Sequence, residues 1–210
     1  MIDMKNISCK FWITQFISAK YSDNKNIISS IIPKIYKCDA KMLCLDNQIF
    51  SYNDFAFLVS NAEDINFKAV TVMNENDLIV PFEKVFEAIP KIKYIYYDTN
   101  LSNITPKTVK KLLKLPNFLQ IEMFHLINIP ETFDIETFYN YMKKNKNTHF
   151  QLDFGILISE AYENRLEEII DELIEAENQD YKIPLILFFG LDLEKCCNLD
   201  TIFRNSFLMG

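Results

Sequence analysis

Short segments in which apolar and polar residues alternate recur along the chain, and each is followed by a stretch with helical periodicity. Four of them end in Asn or Asp and a fifth lacks that residue: Leu43–Asn47, Val70–Asn74, Tyr94–Asp98, Phe124–Asn128 and Phe150–Phe154. Their first residues are 43, 70, 94, 124 and 150, so the unit is repeated at a regular spacing. A strand and helix of this length cannot bury their own apolar face, so the units must stack.

The pattern predicts six strands, near 41–46, 67–73, 92–97, 121–127, 149–154 and 183–189. Residues suited to helix starts follow the first five strands: Ser51, Pro81, Thr105, Asp134 and Ser159. We expect an atypical, helical N-terminal cap over residues 1–40, a strand–helix repeat array over 41–190, and a C-terminal cap or tail over 191–210, because the open ends of an array need covering.

These elements predict the α/β class and a leucine-rich-repeat-like, right-handed solenoid of strand–helix units with parallel strands. The alternative is a doubly wound open sheet with helices on both faces. Residue identity repeats as well as spacing, and this favours the solenoid.

In such a solenoid, the strand residues between the buried ones face the concave surface. A row that mixes aromatic, Met and polar side chains is suited to protein recognition. The predicted partner-binding residues are Met73, Lys93, Ile95, Tyr97, Met123, His125, His149, Gln151 and Asp153. The alternatives are that a helix or terminal segment covers part of the row, or that these are ordinary surface residues.

The polar residue at the end of each strand motif is predicted to be a structural corner: Asn47, Asn74, Asp98 and Asn128. An inward-pointing Asn there would bond backbone groups of neighbouring turns that would otherwise be buried unsatisfied. The other interpretation is that Asn simply favours turns.

Composition limits the chemistry. A net charge of −7 makes nucleic acid and anionic membrane unlikely partners. Only three glycines are present, too few and too scattered for a phosphate-binding loop or a nucleophile elbow, so no cofactor is expected. The two histidines, His125 and His149, could approach Asp153 as a metal or acid–base group, but two exposed strand residues is the simpler interpretation.

Five cysteines at irregular spacing do not predict a disulfide framework, and no run of about 18 uncharged apolar residues predicts a membrane helix. No secretory signal pattern opens the chain. We therefore expect an intracellular protein, cytoplasmic or nuclear.

Three runs, Ile32–Lys41, Ile104–Lys114 and Asn128–Tyr139, resemble a family of animal F-box-associated proteins with leucine-rich-repeat-like arrays. The resemblance covers about residues 27–190. It implies that the repeats select a substrate while an N-terminal F-box binds a ubiquitin-ligase adaptor. Residues 1–40 show no Leu-Pro start, so we expect the F-box to be absent or truncated; an adaptor partner would require one in the full protein.

The sequence thus predicts a non-enzymatic protein–protein interaction module that binds a protein of unknown identity. Substrate recognition for an SCF-type ubiquitin ligase is the role that the resemblance implies. The alternatives are a small α/β enzyme or ligand-binding domain with a pocket at the carboxyl ends of the strands, and a purely structural scaffold.

Overall fold

The computed structural model describes residues 9–20, 23–99, 103–176 and 180–208. The strands in this part of the chain are β1 (Phe11–Ile13), β2 (Phe16–Ala19), β3 (Ile35–Cys38), β4 (Met42–Asp46), β5 (Ile49–Ser51), β6 (Asp64–Lys68), β7 (Thr71–Met73), β8 (Tyr94–Asp98), β9 (Met123–Ile129), β10 (His149–Phe154) and β11 (Leu185–Leu187). The helices are α1 (Tyr52–Val59), α2 (Phe82–Glu87), α3 (Thr108–Leu112), α4 (Ile135–Met142), α5 (Glu160–Glu175) and α6 (Leu193–Leu208). The chain therefore has an α/β fold.

A seven-stranded sheet organises the fold, in the order β2, β4, β6, β8, β9, β10, β11. Neighbouring strands in this sheet pair in parallel, and their order follows the order of the chain. Two smaller parallel pairs, β1 with β3 and β5 with β7, lie outside it. The inner face of the sheet is the face that packs into the core.

Two rows of apolar side chains cross the inner face, because strand side chains alternate between faces and the parallel register aligns equivalent residues. One row is Leu43, Ile65, Ile95, Phe124 and Phe150, and the other is Leu45, Phe67, Tyr97, Leu126 and Leu152. Each of these side chains is at most 2% exposed. The rows form the floor of a single hydrophobic core that the helices cover.

Aromatic rings connect this core from one end to the other. Consecutive centroids lie 5.1–6.3 Å apart along the aromatic spine, which runs Phe50, Phe55, Phe67, Tyr97, Phe82, Phe86, Phe118, Phe124, Phe138, Phe133, Phe154 and Tyr162. The pairs are tilted or edge-to-face, the arrangements that aromatic quadrupoles prefer. Each unit therefore packs aromatic side chains against the next.

Capping chemistry fixes two helix starts, and both predictions are confirmed. Ser51 Oγ accepts a hydrogen bond from the Asp54 backbone N–H at 3.1 Å, and Asp134 Oδ1 accepts one from Thr137 N–H at 3.0 Å. Ser159 also immediately precedes helix α5, as predicted. Helix α3 begins later than the predicted start at Thr105, at Thr108.

The prediction of one strand over 67–73 is wrong. The chain instead forms β6 and β7, and Ala69, with φ of 50°, lies in the turn between them. Strand β6 belongs to the large sheet, whereas β7 pairs with β5. The segment Val70–Asn74 is therefore not equivalent to the other motifs.

The prediction of a helical N-terminal cap is wrong for residues 9–20 and 23–40. They contain β1, β2 and β3, and a 3-10 turn at Ile32–Lys34. Strand β2 pairs with β4 and forms one edge of the large sheet. Residues 1–8, 21 and 22 lie outside the described part, and the division at residue 40 stays a prediction.

At the other end, α6 lies beside α5 and β11. Its Leu199 and Phe203 side chains are at most 5% exposed, so this helix packs into the fold.

Two expectations from composition can be compared with the structure. The five cysteines, Cys9, Cys38, Cys44, Cys196 and Cys197, all carry free thiols. Among the helices in the described ranges, none combines the length and apolar character needed to cross a bilayer.

Replacing Phe124 by Ala should lower the free energy of unfolding by about 3–5 kcal/mol, because the cavity would remove ring contacts with Phe86, Phe118, Phe138 and Phe150. Urea unfolding measures the change. The control is Leu119→Ala, since Leu119 is 63% exposed and its truncation should have little effect. Equal decreases in the free energy of unfolding of the two variants would contradict the claim that the aromatic spine stabilises the fold.

Candidate functional site

The candidate site is the outer face of the large sheet, opposite the core. The register aligns its side chains into two rows. The apolar row consists of Phe16, Met42, Asp64, Tyr94 and Met123, on five adjacent strands. The polar row consists of Ser18, Cys44, Asn66, Tyr96, His125 and Gln151.

The apolar row places large hydrophobic groups in solvent. Phe16 is 50% exposed, Met42 40% and Tyr94 43%, and Met123 is half-buried. Asp64 is the one carboxylate in this row. Its partial burial between these side chains disfavours the charged form and raises the pKa of the Asp64 carboxyl.

Tyr96 and His125 of the polar row form a connected group with two charged side chains beside it, Lys68 and Asp153. The Tyr96 and His125 rings meet edge-to-face at 4.8 Å, and Lys68 Nζ lies 5.4 Å from the Tyr96 ring centroid. His125 Nε2 lies 3.0 Å from Asp153 Oδ2, within hydrogen-bond distance. Tyr96 is therefore held in a fixed orientation by groups on both neighbouring strands.

An ion-pair rim borders the start of these strands. Glu63 pairs with Lys41 Nζ at 2.6 Å and with Lys93 Nζ at 3.1 Å. Hydrogen bonds from these two ammonium groups lower the pKa of the Glu63 carboxyl and raise that of Lys93. Beside them, the Tyr94 hydroxyl donates to the Glu122 carboxylate.

Helix α6 covers the far end of the outer face. The Phe207 ring stacks on His149, with centroids 3.8 Å apart, and Phe203 approaches the same ring edge-on. Ser206 Oγ lies 3.3 Å from His149 Nδ1. Burial, with a smaller effect from the positive charge of Lys182, lowers the pKa of His149 to about 4.

The structure places the predicted partner-binding residues in different environments. Met123, His125, Gln151 and Asp153 lie on the outer face of the sheet, opposite the core. His149 has the same orientation, but α6 covers it, which is one of the alternatives that the sequence left open.

Three placements on the exposed face are wrong, and Lys93 lies at its border rather than on it. Ile95 and Tyr97 are 2% and 1% exposed and belong to the core rows, because β8 has the opposite alternation to the one predicted. Met73 lies in β7, outside the large sheet, where it lines a cavity of about 310 Å³ with Ser51 and Tyr52. Lys93 precedes β8 and belongs to the ion-pair rim.

Sequence reasoning missed most of the apolar row. Phe16 lies in the segment predicted as a helical cap, and the alternation that would expose Lys93, Ile95 and Tyr97 puts Tyr94 on the buried side. Asp64 and Asn66 lay before the predicted strand. The alternation in Asp64–Lys68, with Ile65 and Phe67 buried, is the signal that could have placed them.

The side chains of Asn74 and Asn128 do not bond backbone groups of neighbouring units, as the corner role would require. Asn47 and Asn128 do occupy the left-handed region, with φ of 53° and 57°, as Asn tolerates in turns. Asn128 is exposed, and its Nδ2 donates to Asp98 Oδ1 at 2.6 Å. Asn74 lies in an exposed turn, where its Oδ1 accepts from the N–H groups of Asn76 and Leu78.

Other residues make the hydrogen bonds to buried backbone groups that were expected of the corner residues. Gln48, fully buried, accepts from Ile28 N–H and donates to the carbonyls of Asn24, Asp46 and Asn47. Asn117 donates to the Phe86 and Ile89 carbonyls, and Thr148 to the Ile121 carbonyl, in the same way. No repeated motif marks these residues in the sequence.

A cavity of about 460 Å³ lies where β9 and β10 end, close to the place expected for an enzyme pocket. Its described lining is amide, hydroxyl and apolar: Thr99, Asn128, Ile129, Pro130, Gly155, Ile156, Leu157 and Ile158. Ile156 and Leu157 are 75% and 77% exposed. They form a second apolar patch, separate from the outer face of the sheet.

Within the described ranges, no group of three or more His, Cys, Asp or Glu residues is arranged to hold a metal ion. His125 and Asp153 do approach each other, but His149 is occupied by its contacts with α6. Comparisons of the chain with protein-family models, with curated proteins and with solved structures give no match.

Replacing Gln48 by Ala should lower the free energy of unfolding by about 1–3 kcal/mol, because it leaves buried backbone groups without partners. Asn74→Ala is the matched control, since the backbone groups that Asn74 bonds are exposed and water can replace it. Urea unfolding of both variants tests this. An Asn74 variant at least as destabilised as the Gln48 variant would contradict it.

Lowering the pH should destabilise the fold through His149. The ordinary His pKa of 6.5 applies to the unfolded chain, so the unfolded state binds a proton between pH 6.5 and about 4 that the folded state does not. The contribution of His149 to the free energy of unfolding should fall across this window and stay constant below it. His149→Phe preserves an aromatic ring for Phe207 and cannot titrate, so its free energy of unfolding should fall less between pH 7 and pH 5 than that of the unmodified protein. Equal decreases in the two proteins would show that His149 does not contribute to the pH dependence.

Proposed function

We propose that this protein is a non-enzymatic protein–protein interaction module that binds its partner on the outer face of the sheet. The observation that carries the proposal is the apolar row, in which Phe, Met and Tyr side chains on four strands align in register on either side of Asp64 and are exposed or half-buried.

The composition of this face supports a protein partner. Aromatic and Met side chains are enriched in the centres of protein interfaces, where they bury large areas with little loss of side-chain freedom. Here they lie beside a polar row and an ion-pair rim, the arrangement of an interface centre and its border. Exposed rows of this kind cost free energy in the unbound state, and a partner would remove them from water.

We further propose that the fold is a leucine-rich-repeat-like, right-handed solenoid. Parallel pairing in chain order, without a reversal among the described strands of the large sheet, supports this arrangement over a doubly wound sheet, whose order reverses at a switch point. Solenoids present an extended sheet face to partners, which agrees with the proposed binding surface.

The resemblance to F-box-associated proteins suggests the biological setting. In this proposal the outer face selects the substrate of an SCF-type ubiquitin ligase inside the cell, in the cytoplasm or nucleus. Contact with the ligase adaptor would require an F-box in the full protein.

The double variant Tyr94→Ala, Met123→Ala should reduce recovery of a specific partner at least about tenfold. The reason is that side chains at the centre of an interface are the minority whose truncation costs more than about 1 kcal/mol each, and tenfold corresponds to about 1.4 kcal/mol for the pair. Quantitative mass spectrometry of tagged affinity capture, followed by titration of the purified partner, measures this. The matched control is Ile156→Ala, Leu157→Ala, which removes the other exposed apolar pair. A partner lost with the control and retained by the first variant would place binding elsewhere.

A further inference from the structure

A small cleft interrupts the apolar row at Asp64. Its volume is about 170 Å³, and its polar and aromatic lining comprises Asp64, Asn66, Tyr94, Tyr96 and His125. Met42 and Tyr94 flank Asp64 in the register, so a single carboxylate lies between two large exposed apolar side chains.

The Asp64 carboxylate is not paired with a positive charge in the described part of the chain. Among the residues that the structure describes, no basic side chain lies within ion-pairing distance of it. The lysines of the rim, Lys41 and Lys93, pair with Glu63 instead. Desolvation without a compensating positive charge raises the pKa of Asp64. A cation placed in the cleft would supply that charge and favour the ionised carboxylate.

The cleft and its border have hydrogen-bond acceptors with unused capacity. Asn66 Oδ1 is buried and has no partner in the described part of the chain. On the rim, the Glu122 carboxylate accepts only one described side-chain hydrogen bond, from Tyr94, and retains acceptor capacity. A ligand rich in N–H donors would satisfy the Glu122 carboxylate directly, and Asn66 Oδ1 if the amide turned toward the cleft, whereas an anionic or acceptor-rich ligand would not.

The aromatic rings suit the same kind of ligand. Tyr94 leaves much of its ring in solvent, and the Lys68 ammonium near the Tyr96 ring shows that this part of the face accommodates a cation beside an aromatic ring. A guanidinium group is planar, stacks on aromatic rings and forms paired hydrogen bonds with a carboxylate. An arginine side chain therefore matches the rings, the carboxylate and the free acceptors together.

We propose that the Asp64 cleft receives an arginine side chain of the bound protein partner. This inference rests on the proposed function, since it identifies the partner chemistry that the outer face selects. The partner would then carry an exposed basic segment with apolar residues on either side of the arginine, matching Met42 and Met123 beside the cleft.

The test is a nuclear magnetic resonance titration of the protein with N-acetyl-arginine amide. N-acetyl-citrulline amide is the control probe, because it has nearly the same shape and no charge. Arginine should give saturable shifts at Asp64, Asn66, Tyr94 and Tyr96, and citrulline should give weak or no shifts. Equal shifts from both probes, or shifts confined to other surfaces, would overturn the inference.

The variant Asp64→Asn keeps the side-chain shape and removes the charge. It should weaken arginine binding at least about tenfold, as expected for loss of a charge-assisted hydrogen-bonded contact. Asp180→Asn is the control, because the Asp180 side chain is 90% exposed and pairs only with Lys146 in the described part of the chain. Arginine binding that survives Asp64→Asn would overturn the assignment of the cleft.

The inference and the proposed function can fail separately. If partner capture needs Tyr94 and Met123 but arginine does not bind at Asp64, the inference is wrong and the proposed function stands. If arginine binds at Asp64 but no partner depends on Tyr94 and Met123, the proposed function is wrong, and the arginine seen in the cleft is not that of a docked partner.

Discussion

The inner face of the sheet is kept out of water by side chains from adjacent units, because a single strand and helix cannot cover their own apolar surface. Phe124 illustrates this: its ring contacts Phe86, Phe118, Phe138 and Phe150, which come from several elements around it. The aromatic spine repeats such contacts along the core. Strand order, helix position and register all follow from keeping these rings packed.

The same constraint creates the outer face. Strand side chains alternate, so fixing Ile65, Phe67, Ile95 and Tyr97 in the core fixes their neighbours on the opposite side. A slip of one residue would exchange the two faces and expose the core rows. The register that protects the core thus aligns the exposed rows, and packing on one side positions the candidate binding surface on the other.

Local chemistry made part of the fold predictable. Ser51 and Asp134 mark helix starts, because their side chains cap the first turn. In β10, apolar and polar residues alternate from His149 to Phe154. The order of strands also followed from the recurring unit. These features depend on residues close together in the chain.

The remaining features depend on contacts that the local sequence does not encode. Val70, Thr71 and Val72 have a stronger strand propensity than Asp64–Lys68, so the wrong segment was assigned to the large sheet. Tyr97 is amphipathic and fits either face; in the structure it is buried, with its hydroxyl donating to the Val70 carbonyl at 3.4 Å. The contact of Phe207 with His149 joins residues far apart in sequence.

The central claim is that a protein partner binds the outer face of the sheet. Site-specific photo-cross-linking tests it most directly, with p-benzoylphenylalanine placed at Ser18 or Tyr96 on the outer face, and at Lys110 or Lys143 on helix-side surfaces. The account predicts that the two outer positions cross-link the same partner and that the helix-side positions do not. A partner cross-linked from Lys110 or Lys143 and not from the outer positions would contradict it.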